Sequence, residues 1–380
     1  MISEKLIVDK EKFISVVFLA AYTTFFAFST FGHIAMFGTY LKYMTYVGIF
    51  LLIELFILRL NEYSGKEGLV FISLILYSLF IAYKTNDYGY FKLILMIVVS
   101  KGVGFNSCIK YDAILRIINI SIMLFLYYIG IAPDYPSVVG TTIRHSMGFR
   151  NPNNFGLMIF ILSLEYLYLV RLKLNLKLSL PIIFLIIFEY KTSGSRTAEI
   201  FMILAMCIYL IYSKVPSLFS ENIVERVMQW VAPVGAAVTY IIYLLFDSGN
   251  VFMKQLDMIF SGRITNISYY SELYNISFLG RNTGMANRTL DSLYAYLYFS
   301  SGIIVFLLVM VAYITLIRDL CDYSNIPMAI IMSLLFLYGL SEKLWFQPDY
   351  NLLMISFRQL IYHDVLIDNS TYVEQALIDY

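Results

Sequence analysis

Apolar residues in this chain gather in long blocks separated by short charged clusters. A helix needs about 20 residues, within a range of about 17 to 25, to cross roughly 30 Å of hydrocarbon. Twelve blocks meet that requirement, at residues 13–32, 39–59, 68–84, 90–106, 112–132, 155–171, 174–191, 197–213, 227–247, 291–317, 325–342 and 350–367. The fourth is interrupted by Lys101 and Gly102, and the last is shortened by Arg358, His363 and Asp364. The pattern predicts an all-α fold, a polytopic transmembrane helical bundle of about 12 spans forming a single integral membrane domain over residues 1–380.

Composition excludes the soluble alternative. The 380 residues are 60% hydrophobic and 14% charged, against about 25% charged in soluble domains, so water would have too little polar surface to meet. A net charge of +1 excludes a basic nucleic-acid binder. Lys5, Lys10 and Lys12 before the first block suggest a signal peptide, but no small-residue cleavage site follows, so it reads as a retained span. Cys108 and Cys321 fall in inside loops and Cys207 within a span, leaving no cysteine for an external disulfide.

With the N-terminus inside, fifteen of the 27 Lys and Arg residues fall on the cytoplasmic side, the side that short basic loops prefer. Nine of the remaining twelve lie in four outside segments, at 133–155, 191–196, 247–290 and 341–350. The large extracytoplasmic loop at 247–290 is rich in Tyr, Phe, Ile and Leu, which argues against disorder, and SYYSELYNI within it reads as a short amphipathic surface helix.

The outside segments hold six arginines, Arg144, Arg150, Arg196, Arg263, Arg281 and Arg288. Their planar forks suit phosphate oxygens, and lipid headgroups or helix C-termini are the plainer partners. In KTSGSRTAE, Ser195 or Thr197 caps the next helix and Arg196 stands at its positive end, either as a simple capping turn or as a phosphate site. His145, in HSMGFRNPNNFG, is suited to proton transfer or is an ordinary loop histidine, and the Asn151–Asn154 turn ends in a helix cap. Asp291 opens the tenth span, with Tyr294 and Tyr298 at helical spacing, and Glu342 stands at the outer end of the eleventh, beside Lys343. Tyr269, Tyr270 and Tyr274 belong to the interfacial aromatic belt or stack on sugar rings. As a general base Glu342 ranks first, because an apolar helix end desolvates its carboxylate; Asp291 follows, and then His145.

The order of GFRNPNNFG, SGSRTA, FSGRI, FLGRNTG, DSLYAYLYFSSGI and a glutamate near the last outside turn, across roughly residues 130–360, resembles the bacterial O-antigen and capsular polysaccharide polymerases of the Wzy type. The resemblance implies a GT-C-like membrane glycosyltransferase that joins undecaprenyl-diphosphate-linked repeat units at the outer face of the bacterial cytoplasmic membrane, both termini being cytoplasmic. It implies diphosphate binding by Arg196, Arg263, Arg281 and Arg288, and substrate contacts from Arg150, Asn154, Tyr270, Tyr274 and Tyr294. The Asp-Asn pair usual at the tenth span is Asp291–Ser292 here. Related ligases use a histidine in a late outside loop, which this chain lacks. A flippase and a chain-length regulator are the implied protein partners, beside membrane lipid. No cofactor is implied, and without an Asp-x-Asp element or a His/Cys cluster no metal is expected. The alternatives are a lipid-linked oligosaccharide flippase, which needs charges at mid-membrane depth and often duplicated halves, and an O-antigen ligase-like transferase.

The predicted orientation is checked by reporter fusions: those at residues 140 and 270 read outside and one at 175 reads inside, and reversal at any two overturns the topology.

Overall fold

The computed structural model describes residues 2–362, apart from 140, 141, 171–174, 220, 247–249, 260, 261, 285–287, 324 and 344–346. The end of the twelfth predicted block, with His363 and Asp364, and the C-terminus lie outside the described residues, as do parts of the 133–155, 247–290 and 341–350 segments.

The helices follow the apolar blocks in order. They are α1 (Ile2–Phe31), α2 (Ala35–Leu58), α3 (Gly65–Thr85), α4 (Gly89–Val99), α5 (Phe105–Tyr128), α6 (Pro152–Val170), α7 (Leu176–Thr192), α8 (Arg196–Lys214), the short α9 (Pro216–Phe219) and α10 (Asn222–Leu245). Helices α11 (Val251–Ile259) and α12 (Arg263–Leu273) lie in the large loop, followed by α13 (Leu293–Tyr296), α14 (Ile303–Asp322), α15 (Ile326–Tyr338) and α16 (Gln359–Tyr362). Among the described residues, seven segments are long and apolar enough to cross a membrane: Lys10–Phe31 of α1, then α2, α3, α6, α8, α10 and α14. Large apolar side chains such as Phe50, Leu69, Phe125, Phe184 and Trp230 stand exposed on the bundle's outside, as lipid contact requires. The protein is therefore an all-helical membrane protein in its bulk. The departure is a small hairpin in the 133–155 segment, β1 (Ser137–Val139) paired antiparallel with β2 (Thr142–Arg144).

Helices α4, α6 and α15 are buried along most of their length, α6 packing against α5, α7 and α8 and α15 against α10 and α14. The polar ends sort into two groups. At one, Lys10 meets Glu62 at 2.6 Å, Arg59 meets Glu62 at 2.9 Å, and Arg358 donates to Ser100 O at 2.8 Å. The four predicted outside segments gather at the other.

Four blocks depart from the simple spans expected. Helix α4 stops at Val99, and Gly102 (φ +66°) turns the chain. The tenth block is not one helix: α13 passes into a π-helical turn, Leu297–Ser301, and breaks at Gly302. There φ is +93°, and a Cβ would lie 2.5 Å from Gly280 N and 2.8 Å from Phe278 O, so only glycine fits. The large loop answers the broken backbone. Ile303 N donates to Ser277 O (2.9 Å) and Arg281 N to Ser300 O (2.8 Å). The eleventh helix ends at Tyr338 rather than 342, with Leu293 N donating to Gly339 O (2.8 Å), so Glu342 stands in the loop beyond it.

The twelfth block is the largest correction. It runs as 3₁₀ helix over Pro348–Tyr350 and Leu352–Arg358 before α16, and every residue from Pro348 to Gln359 is buried. At about 2.0 Å per residue this coil advances farther than an α-helix for the same length. Its cost is weaker backbone geometry, offset by side chains. Arg116, fully buried, donates to Tyr350 O (2.8 Å) while pairing with Asp112 (2.9 Å) and Glu165 (3.0 Å). Asp112 also accepts from the Tyr22 hydroxyl (2.7 Å) and from Leu352 N (3.3 Å). Lys92 pairs with Asp349, and the Tyr350 hydroxyl donates to Ser29 O (2.8 Å).

Removing one partner of a buried ionic group costs about 3–5 kcal/mol, because a bare charge is left behind. Arg116→Met therefore lowers the melting temperature in detergent markedly, and adding Asp112→Asn and Glu165→Gln restores much of it. Equal melting of wild type and Arg116→Met contradicts a structural network.

Candidate functional site

The hairpin and the turn after it are held by Asp134, whose carboxylate accepts from Ser146 N (2.8 Å), the Ser146 hydroxyl (3.0 Å) and His145 Nδ1 (2.6 Å). Burial opposes ionisation of Asp134, but these donors outweigh it and hold the carboxyl below its usual range. His145 is thus occupied locally. Beyond it Met147 (φ +52°) and Gly148 (φ +86°) reverse the chain, and His33 Nε2 lies 2.6 Å from Gly148 O. Asn151 Oδ1 accepts from Asn154 N (2.8 Å), starting α6, and Asn153 then projects from the first turn.

The SGSR turn is shaped by Glu189, which accepts from Ser195 N (2.7 Å) and from the Ser193 hydroxyl. Ser195 occupies the N-cap position of α8 without a side-chain cap bond, contrary to the capping expected of it. Its hydroxyl lies 3.4 Å from Asn153 Oδ1 instead. Helices α6 and α8 approach this closely because residue 156 is glycine: a Cβ there would sit 2.5 Å from Ser195 Cβ.

In the large loop the helix expected around SYYSELYNI begins earlier, at Arg263, after Gly262 (φ +80°). Asp257 fixes the turn by accepting from Thr265 N (3.0 Å). Arg263 is buried at the helix start and meets Glu342 Oε1 at 2.6 Å. Asn153 Nδ2 donates to the same oxygen (3.2 Å), and Arg144 donates to Asn153 Oδ1 (2.8 Å) and Ser193 O (3.3 Å). The result is one chain, Arg263–Glu342–Asn153–Arg144, drawn from three of the predicted outside segments, with Ser193 O of the fourth bonded to Arg144. Arg196, exposed, is close enough for its charge to act on Arg144. Beneath lies Tyr338, stacked on Phe160 at 4.6 Å, its buried hydroxyl without a hydrogen-bond partner among the described residues.

Burial pushes the Glu342 carboxyl up to about 7; Arg263 opposes the rise and the nearby Asp291 adds to it. A carboxylate at that value exchanges a proton near neutrality, as a general base must.

The other residues singled out by sequence are arranged around this chain or apart from it. Asp291 precedes α13 and accepts from Thr289 (3.1 Å), while Ser292 is the cap, its hydroxyl 3.5 Å from Ala295 N. Arg281 and Arg288 stack on Tyr274 (5.9 Å) and Tyr269 (4.8 Å). Tyr270 donates to Arg288 O (2.6 Å) and so fixes the loop. Tyr294 is fully buried and donates to Phe336 O (2.8 Å), a packing role rather than the substrate contact expected. Arg150 is exposed. The sequence reading names Asn154 in the NPNN turn, whereas the residue that reaches Glu342 is its neighbour Asn153, Asn154 bonding to Asn151. Among the described residues no three His, Cys, Asp or Glu side chains are placed to share a metal ion.

The folded Glu342 keeps its proton to higher pH than an unfolded glutamate, near 4.5. The native state therefore binds more protons across this window, and its contribution is complete below about 4.5 and lost as pH rises through about 7. Wild type loses up to about 3 kcal/mol relative to Glu342→Gln across that range, read as melting temperature against pH; parallel curves contradict the perturbed carboxyl.

No family model matches the sequence, and neither a curated protein nor a solved structure matches it.

Proposed function

We propose that this chain is a glycosyltransferase of the GT-C-like class that polymerises undecaprenyl-diphosphate-linked oligosaccharide repeat units at the outer face of the bacterial cytoplasmic membrane. The observation that carries the reading is the pairing of Glu342, poised near neutrality, with Arg263 within a field of outer-end arginines. The order of motifs resembling Wzy-type polymerases supports it independently.

In this reading the acceptor hydroxyl oxygen bonds to the anomeric carbon of the donor sugar as the bond from that carbon to the diphosphate oxygen breaks. Glu342 accepts the hydroxyl proton, and the electron pair leaves with the diphosphate on its lipid. Asn153 and Arg263 orient the carboxylate. Arg144, Arg196, Arg281 and Arg288 stabilise the growing negative charge, each charged hydrogen bond contributing about 1.5–3 kcal/mol. Fixed cations of this kind are most effective in a partly dry site, where water does not screen them.

A second reading, a flippase for the same lipid-linked glycan, has its own observation: the Asp112–Arg116–Glu165 group within the bundle and the helix break at Gly302. Transporters use buried charges and discontinuous helices in this way.

Deletion of the gene in its native cell, followed by a gel of lipid-linked glycan from each membrane face, separates the two. Single repeat units accumulating outside are the expected result. Units trapped inside identify the flippase, and an unaltered polymer ladder overturns both.

A further inference from the structure

A polar cavity opens at the same end of the bundle, lined in part by Lys343, the residue after Glu342. Its volume is about 300 Å³, and its walls come from three places. The α3–α4 turn gives Asn86, Asp87 and Tyr88, the large loop gives Asn282 and Thr283, and the broken tenth block gives Tyr296. Lys343 closes it. None of these residues takes part in the Arg263–Glu342–Asn153–Arg144 chain.

The lining is built. Asp87 Oδ1 accepts from Gly89 N (2.9 Å) and Oδ2 from the Tyr296 hydroxyl (2.7 Å), which fix the carboxylate while leaving further lone pairs. Lys343 Nζ sits over the Tyr296 ring at 4.6 Å and 4.0 Å from Asp87, a loose pair whose ammonium keeps donors for another partner. Tyr88 is half exposed, presenting an aromatic surface at the rim. Asn282 holds its loop by accepting from Gly284 N (2.8 Å).

This mixture selects among ligands. A diphosphate entering the cavity would face the Asp87 carboxylate with Lys343 as the one cation in the described lining. A neutral sugar has no such conflict: its hydroxyls both donate to Asp87 and accept from Lys343, and the apolar face of its ring matches Tyr88. The volume lies at the small end of ligand pockets, the scale of a sugar unit rather than a lipid. Lys343 follows Glu342 and Asn282 follows Arg281, so two of the walls are continuous in the chain with residues of the proposed site.

We infer that this cavity is a subsite for a neutral sugar unit of the acceptor glycan; the inference rests on the transferase reading above.

The test uses full-length protein in lipid nanodiscs. The repeat unit recovered from the deletion strain serves as the lipid-linked substrate, and the same unit freed from lipid by mild acid serves as the binding probe. Tyr88→Ala, at an exposed position that folding tolerates, and Asp87→Asn each raise the KM for acceptor and the Kd for the free oligosaccharide about tenfold, with kcat changed far less. Unchanged KM and Kd in both variants overturns the subsite while leaving the polymerase reading intact. Inorganic diphosphate competing for the cavity, in a manner abolished by Lys343→Met and not by Asp87→Asn, overturns it in favour of an anion site. Failure of the transferase reading shows itself differently, as the absence of accumulated repeat units in the deletion strain.

Discussion

A guanidinium sealed in an apolar bundle must be answered on every side, and the placement of Arg116 organises this protein more than any other contact. Two carboxylates and a backbone carbonyl answer it, one carboxylate being further held by Tyr22. Those partners belong to α1, α5, α6 and the 3₁₀ segment, so one side chain ties the two ends of the sequence together. Such a group does not make the fold cheap, since desolvating three charges is expensive. What it provides is register: the 3₁₀ segment is seated where Tyr350 O and Leu352 N meet Arg116 and Asp112, and a shift by one residue would strand both.

That register reaches the end of the bundle that holds Glu342. Tyr350 and Asp349 are fixed by Arg116, Ser29 and Lys92, and α15 is fixed by its burial. Glu342 lies on the stretch between these two anchored elements. The Gly302 break does the complementary work for the large loop, whose residues 277–281 lend their backbone to the interrupted helix. Arg263 and Glu342 therefore meet as the product of two separately pinned segments, and Asn153 joins them from the start of α6, a largely buried helix.

How much of this was legible in the sequence depends on how local its causes are. Block length and polarity are local, and every apolar block contains helix. Glu342 was conspicuous because a carboxylate at the end of an apolar run has no solvated neighbourhood, and Arg263 because arginine in a long outer loop needs a partner. The phase of α6 was not local. Asn154 has its backbone N–H taken by Asn151, and Asn153, about 100° round the helix, is the one that reaches Glu342. The break at Gly302 was hidden in LYFSSGIIVF, which reads as continuous apolar sequence until residues 277–281 are placed against it. The 3₁₀ course of the last block was beyond any window, because Lys92, Asp112 and Arg116 impose it from over 230 positions away.

That separation has a consequence for biogenesis. The 3₁₀ segment packs against α1, α4 and α5, helices synthesised well before it, with bonds spanning 321 residues to Ser29 and 258 to Ser100. Until it is synthesised, the slot it fills lacks its lining, and Arg116 waits in the bilayer with its carboxylates alone. The early helices are therefore inserted before this partner exists, since non-local pairings form late and slowly. Closure of the bundle waits for the 3₁₀ segment, and the anchoring of the stretch that carries Glu342 waits with it.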